Sequence, residues 1–294
     1  MTTVRRSNGS ILGVNIAPTN IGQVTMKGIW DKNEYASLRT LGLGPTSTYT
    51  VYLLIAGGGG GGSGGAGGAG GLVIKTATLS RSPYTITIGS GGAVARDGGN
   101  TSIVGKILTN ITGLGGGAGG ANSYGTPHSG NDGHSGGSGG GAAEWRGGGV
   151  ATYPGAATQP TSQWGGYGNA GSNASPYNRT GSGGGAGGAP TVNTSSGRNN
   201  GGIGISSLIS GISTMYCTGG SVNNYYVSYN TTGVGAANSG NGGGLYRAGG
   251  AGILIISYKS EYQQGSGGTT EWYLNQNSEK WWVHTFTSSG TYLG

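Results

Sequence analysis

Large apolar side chains in this chain are concentrated in short segments where they alternate with smaller or polar ones. The segment from Thr48 to Ala56 has an apolar residue at every second position, which is the period of a β-strand. Turn signals such as Ser-Pro and Asp-Gly-Gly separate four further strand candidates: Leu72 to Leu79, Tyr84 to Ile88, Thr101 to Val104 and Lys106 to Ile111. The segment Gly252 to Tyr258 is another strand candidate, and the tail after Lys259 predicts a β-hairpin or an added strand.

The glycine runs between these strands have a different period. In residues 61–71 the only side chains are Ser63, Ala66 and Ala69, which are three residues apart. Three residues per turn is the period of the polyproline II helix, and two glycine-only edges allow other backbones to approach closely. The phrase recurs in residues 115–121, 136–141 and 183–189, so one chain supplies several rods of a polyglycine II bundle. Collagen would require one long, proline-rich Gly-X-Y register, which is absent.

These patterns predict an all-β fold in which a small antiparallel sheet or sandwich carries a large insertion of polyglycine II helices and aromatic-rich loops. We divide the chain into an N-terminal attachment segment at 1–46, a glycine-rich β and polyglycine II domain at 47–258, and a C-terminal β segment at 259–294.

Composition and charge exclude several classes of protein. Glycine accounts for 73 of 294 residues and charged residues for 8%, so we expect backbone pairing to matter more than a large core. The net charge of +7 is scattered without a basic stripe, which argues against nucleic-acid binding. No apolar run approaches the ~20 residues needed to cross a bilayer, and we expect a soluble product with no membrane insertion. The single Cys217 excludes an intrachain disulfide.

Candidate catalytic patterns are weak. Ser63 and Ser138 each lie in a literal Gly-x-Ser-x-Gly phrase, but a nucleophile elbow requires a strand before the serine and a helix after it, whereas glycine rods follow here. The eight acidic residues show no paired spacing, which leaves a glycosidase as a minor alternative. His128, Asp132 and His134 share one loop and could ligate a metal, although such loops are usually solvated turns. We expect no enzyme activity, no cofactor and no metal.

Aromatic loops are the stronger signal. Tyrosine and tryptophan are interleaved with serine, asparagine and glycine, a mixture typical of binding surfaces because rigid rings give large contact area at small entropy cost. The alternative is that part of these rings cap the rods and supply core. The candidate host-binding residues are Tyr124, Trp145, Tyr153, Trp164, Tyr167, Tyr177, Tyr225, Tyr226 and Tyr229, and Tyr246 belongs to the same group of rings.

Five phrases carry a resemblance to a known family. They are Val51 to Gly62, Tyr84 to Gly89, Gly99 to Ser102, Ile209 to Tyr216 and Ala248 to Tyr258. In this order they resemble the glycine-rich domain of bacteriophage tail and virion proteins, over about residues 48–258. One departure concerns His284 to Tyr292, which resembles a phrase that normally precedes the first strand of the family. Here it either folds back beside the first strand or exchanges into a neighbouring subunit.

The resemblance implies a virion structural protein, localised to the virion after assembly in the bacterial cytoplasm. Similar polyglycine II adhesins sit at tail fibre tips and bind the host through loops at the end of the bundle. The expected partners are other virion proteins, a host surface glycan or outer-membrane component, and further copies of the chain, with a trimer as the family expectation. The alternative is an architectural capsid decoration, collar or head fibre without receptor contact.

Overall fold

The computed structural model describes residues 48–121, 132–143, 152–174, 180–191, 199–222 and 233–294. These residues form eleven β-strands and no α-helix, so the chain is all-β as predicted. The strands are β1 (Thr48–Ala56), β2 (Leu72–Ser80), β3 (Pro83–Thr87), β4 (Thr101–Gly105), β5 (Ile111–Gly113), β6 (Ile205–Ser207), β7 (Thr214–Tyr216), β8 (Ile253–Lys259), β9 (Thr269–Leu274), β10 (Lys280–Phe286) and β11 (Gly290–Leu293).

Nine of these strands form a β-sandwich. A five-stranded antiparallel sheet has the order β2-β1-β8-β10-β9, and a four-stranded antiparallel sheet has the order β11-β3-β4-β5. Side chains from both sheets fill one core, including Leu53 and Ile256 from the first sheet and Ile86, Ile103 and Tyr292 from the second. The period-two pattern of the strands thus places alternate apolar residues between the sheets.

The opposite face of the five-stranded sheet is also covered. Leu54, Ile255 and Val283 point to this face and pack with Ala69 and Cys217 of the glycine-rich region. Because β1 is buried on both sides near its end, its sequence becomes continuously apolar from Leu53 onward rather than alternating.

One predicted strand is wrong. Lys106 to Ile111 was expected to be extended, but β4 and β5 pair antiparallel with Ile103 opposite Ile111, so Lys106–Asn110 must reverse the chain between them. Only Ile111 of the predicted segment belongs to a strand, and Ile107 is half exposed.

The C-terminal strands pair within the same chain. β10 lies between β8 and β9, with Trp282 opposite both Tyr258 and Trp272, and β11 pairs with β3 through Tyr292 opposite Tyr84. The segment therefore folds back within one subunit, next to β8 rather than beside β1. Residues 259–294 complete both sheets that residues 48–258 begin.

The glycine segments leave the sandwich as a bundle of paired rods. In residues 57–62 every third amide donates to the same neighbouring segment, with N···O distances of 2.8–3.1 Å. Gly57 and Gly60 donate to Gly71 and Gly68 of one neighbouring segment. Gly58 and Gly61 donate to Gly99 and Arg96 of a second, and Gly59 and Gly62 donate to Gly250 and Arg247 of a third. Rod 57–62 thus has three hydrogen-bonded edges, the period that the sequence repeat predicts. The polyglycine II conformation itself stays a prediction.

Close approach explains why these positions are glycine. A Cβ atom placed on Gly57 would lie 2.1 Å from the carbonyl oxygen of Leu114, and one on Gly60 would lie 2.2 Å from that of Gly117. Both distances are far below van der Waals contact, so any side chain would separate the rods.

Alanine occurs where the packing leaves room for a methyl group. Ala69 is buried against the face of the five-stranded sheet that carries Leu54, and Ala66 packs with Val222 and Leu245 farther along the bundle. The side-chain edge of rod 65–71 therefore supplies a narrow apolar core between backbones.

The bundle has two distinct ends. The sheet end is where the rods join the strands, at Ala56, Leu72, Gly113 and Ile253. The far end is where the rods turn back, at residues 62–65, 93–96 and 244–247.

Candidate functional site

Two similar tight turns lie side by side at the far end. In one turn the Arg96 amide donates to the Ala93 carbonyl, and in the other the Arg247 amide donates to the Gly244 carbonyl. The N···O distance is 3.0 Å in both. The carbonyls of Arg96 and Arg247 accept from the consecutive residues Gly61 and Gly62. The rod 57–62 thus fixes the spacing of both turns.

The remaining rods also end here. Ala143 forms a bridge with Thr180, and Asn199 forms one with Val222. Gly120 donates to Gly141 next to the end of rod 65–71. The described residues that flank five segments therefore lie at the far end of the bundle, away from the sheets. These segments are 122–131, 144–151, 175–179, 192–198 and 223–232.

Large side chains are exposed on this surface. Tyr153 is 64% exposed and Tyr246 is 42% exposed, and the apolar Val94 and Val234 are exposed beside the turns. The backbone of Tyr153 is held on both sides, since its amide donates to Asp132 Oδ1 at 2.7 Å and its carbonyl accepts from Gly133 at 2.8 Å. The ring is thus presented from a fixed backbone position.

Tyr246 adopts an unfavourable backbone conformation. Its φ of 54° lies in the left-handed region, as does the φ of 60° at Ala95 in the equivalent turn. A left-handed conformation costs a non-glycine residue about 1 to 2 kcal/mol, and glycine would avoid this cost. Tyr246 therefore holds its ring at the far end at a backbone cost that glycine would not carry.

The charges at the far end are mixed. Asp97 Oδ1 accepts from the Ala118 amide at 2.8 Å and lies 2.9 Å from Nδ1 of His134. This contact ties the segment around 97 to two neighbouring rods. Arg96, Arg247 and Asp132 also lie at the far end, so side chains with both signs of charge lie beside the exposed rings.

The structure separates the predicted binding residues. Trp164 and Tyr167 lie at the sheet end, because Trp164 Nε1 donates to the Asn110 carbonyl at 2.6 Å and Tyr167 exchanges backbone hydrogen bonds with Leu72. Trp164 also packs against the sandwich core, which fits the capping interpretation. Tyr153 and Tyr246 lie at the far end. The other predicted residues, Tyr124, Trp145, Tyr177, Tyr225, Tyr226 and Tyr229, are outside the described residues.

Two serines and the cysteine that could act as nucleophiles are buried in the structure. Ser63 and Ser138 are buried in the bundle. Burial raises the pKa of the Cys217 thiol, so this cysteine is not a reactive nucleophile. His128 lies outside the described residues, and the described part of the chain has no group of three potential metal ligands. No helix long and apolar enough to cross a bilayer occurs among the residues that the structure describes.

A family model described as a glycine-rich domain matches residues 40–278. The chain belongs to the glycine-rich domain family. This match includes the bundle and strands β1 to β9, whereas β10 and β11 follow it. No curated protein and no solved structure matches the chain significantly.

Three far-end residues of this glycine-rich domain were missed by the sequence interpretation. They are Val94, Arg96 and Val234, none of which belongs to an aromatic loop. The available signal was the pair of phrases Ala93-Val-Ala-Arg96 and Gly244-Leu-Tyr-Arg247, each of which interrupts a glycine run with larger side chains. Only the pairing of distant rods shows that the two phrases are neighbours.

Proposed function

We propose that this glycine-rich domain protein is a non-enzymatic structural protein of a bacteriophage virion, a tail fibre or comparable appendage, and that the far end of its bundle contacts the host surface. The observation that carries the proposal is the presentation of exposed tyrosines at the end of close-packed rods opposite the sandwich. Family membership supports the glycine-rich architecture, and the phage assignment rests on the resemblance of the strand and glycine phrases.

The two ends of the molecule suit different tasks. The sandwich is held together by a large apolar core, whereas the rods are held by backbone hydrogen bonds that leave little freedom for movement. Side chains at the far end are therefore presented by a stiff support, which reduces the entropy lost when they bind.

The far-end surface suits a host glycan or an outer-membrane component. Flat tyrosine rings pack on the faces of sugar rings, and neighbouring arginine, aspartate and histidine side chains offer hydrogen bonds of both polarities. The mixture is that of binding loops, in which rigid aromatic anchors are combined with adaptable polar groups.

Binding of the fluorescently labelled protein to a panel of intact bacterial cells tests the proposal. We expect binding to a subset of strains, and we expect the double variant Tyr153→Ala with Tyr246→Gly to bind roughly tenfold or more weakly, since a buried aromatic anchor contributes about 2 kcal/mol. Glycine at 246 is chosen because it adopts the left-handed conformation of that turn without the backbone cost that other residues carry.

A matched control exists on the same chain. Tyr262 is 79% exposed but follows β8 at the side of the sandwich away from the bundle. Tyr262→Ala should bind cells like the parent protein. If the folded parent binds no strain in the panel, or if only Tyr262→Ala reduces binding, the far end is not the recognition surface and the architectural alternative gains support.

A further inference from the structure

The basic residues of the two ends differ in kind. From Thr48 onward the sequence has four lysines, and all of them lie in or directly beside strands of the sandwich: Lys75, Lys106, Lys259 and Lys280. Among the described residues of the far end the cations are instead two arginines, Arg96 and Arg247.

The same bias holds in the sequence segments next to the far end. Segments 144–151, 175–179 and 192–198, whose described neighbours lie at the far end, each contain one arginine and no lysine, and Glu144 is their only acidic residue. Lysine and arginine carry the same charge, so charge alone does not explain the bias. The guanidinium group differs because it presents a rigid fork of N–H donors, which binds two oxygens of a carboxylate or phosphate at once.

The backbone places Arg96 and Arg247 side by side. Their carbonyls accept from consecutive amides of rod 57–62. The rods that carry the two turns are also joined directly, since the Gly249 amide donates to the Gly92 carbonyl at 2.9 Å. Two guanidinium groups therefore start from neighbouring backbone positions that the bundle holds in place.

The described carboxylates of the far end are engaged within the protein. Asp97 Oδ1 accepts from a rod amide at 2.8 Å and lies 2.9 Å from His134 Nδ1. Asp132 Oδ1 accepts from the Tyr153 amide at 2.7 Å. Because each of these carboxylates already accepts from the protein, recognition of a charged ligand falls to the arginines, of which Arg96 is exposed.

We propose that Arg96 and Arg247 recognise an oxyanion group, a carboxylate or a phosphate, on an acidic glycan of the host surface. Two adjacent guanidinium forks bind such groups along a polysaccharide, and the exposed ring of Tyr246, next to Arg247 in the chain, packs on a sugar face. This inference rests on the proposed function and narrows its ligand to a glycan that carries negative charge.

Binding of the full chain to immobilised polymers tests the inference at about 0.15 M salt, where long-range attraction between charges is screened. The probes are polygalacturonate, which carries carboxylates, poly(glycerol phosphate), which carries phosphates, and neutral dextran. We expect retention by at least one acidic polymer and none by dextran. Retention by polygalacturonate alone identifies a carboxylate ligand, and retention by poly(glycerol phosphate) alone identifies a phosphate ligand.

Paired substitutions separate recognition from net charge. Arg96→Lys with Arg247→Lys keeps the net charge of +7 but removes both forks, and should weaken retention about tenfold. Arg96→Lys alone changes an exposed residue and should show part of this loss even if Arg247 is needed for folding.

The matched control is Lys75→Gln with Lys106→Gln. It removes two exposed charges from the sandwich and should bind the acidic polymer like the parent. An equal or greater loss in this control than in the arginine variants would show that retention follows net charge, which overturns the inference.

Failure of the inference can be told apart from failure of the proposed function. A protein that binds intact cells through Tyr153 and Tyr246 but neither acidic polymer has a neutral glycan or a protein as its receptor, which overturns the inference alone. A folded protein that binds neither cells nor acidic polymers contradicts both.

Discussion

At the scale of single residues, the bundle depends on the absence of side chains. Most glycines in the rods lie so close to another backbone that a methyl group would meet a carbonyl oxygen at about 2 Å, as at Gly57 and Gly60. The few alanines lie where a methyl group contacts other apolar atoms, as Ala66 does with Val222 and Leu245. The positions of glycine and alanine in the sequence repeat therefore follow the space that is available at each position.

Replacing one rod glycine tests this account of the packing. Gly60→Ala should lower the free energy of unfolding by about 1 to 3 kcal/mol or more, because rods 57–62 and 114–120 must move apart. The control is Gly290→Ala in β11, where a Cβ atom would meet nothing within 4 Å and a small gain in stability is expected. Denaturant unfolding measures both. Equal effects of the two substitutions would show that close packing does not determine the glycine positions.

At the scale of elements, buried polar groups join the strands of the sandwich. The Tyr258 hydroxyl lies 3.0 Å from Nε2 of His284, and the Gly267 carbonyl lies 3.0 Å from Nδ1. Because a carbonyl only accepts, Nδ1 carries the proton and Nε2 accepts from Tyr258. The neutral imidazole of β10 thus links β8 to the loop before β9. Tyr292 of β11 similarly contacts the Tyr49 hydroxyl of β1 at 2.6 Å, and burial raises the pKa of Tyr49 to about 12.

The buried histidine predicts a pH dependence of stability. Burial lowers the pKa of His284, and the hydrogen bond to Gly267 only partly offsets this effect. The unfolded chain therefore binds a proton first as the pH falls below about 6.5, so stability should be full above that pH and decrease below it, by at most about 1.4 kcal/mol per pH unit. Denaturant unfolding between about pH 7 and pH 5 measures the slope.

The matching control removes the titrating group. His284→Gln retains a side chain able to hydrogen bond but has no proton to gain in this range. The variant is expected to be less stable overall and to show a smaller dependence on pH. A parent protein whose stability is unchanged or increases toward pH 5 would show that His284 does not control this dependence.

The sequence predicted some of these elements well and others poorly, for physical reasons. β1 and β2 were predicted within one residue, because their apolar periods are long and glycine runs bound them. β5 was misplaced because its three residues contain no full period, and only its pairing with β4 defines it. The position of β10 between β8 and β9 depends on contacts far apart in sequence. The proximity of the turns at Ala95 and Tyr246 also depends on contacts between residues far apart in sequence.

At the scale of the whole molecule, the described residues form a sandwich that supports the bundle and a far end of the bundle that presents exposed side chains. The sandwich buries large side chains from two sheets, and the bundle extends from it with the rods in fixed register. Trp164 and Tyr167, expected at a binding surface, lie beside the sandwich, whereas Tyr153 and Tyr246 lie where the rods turn back. The proposed account therefore assigns recognition to the far end of the bundle.

Site-specific photo-cross-linking on intact cells tests this central assignment most directly. A photoreactive benzoylphenylalanine replaces Tyr153 in one protein and the more exposed Tyr262 in another, and both are irradiated on a strain that binds the parent. The account predicts covalent capture of a cell-surface molecule from position 153 and none from position 262. Capture from 262 alone would contradict it and place the recognition surface on the sandwich.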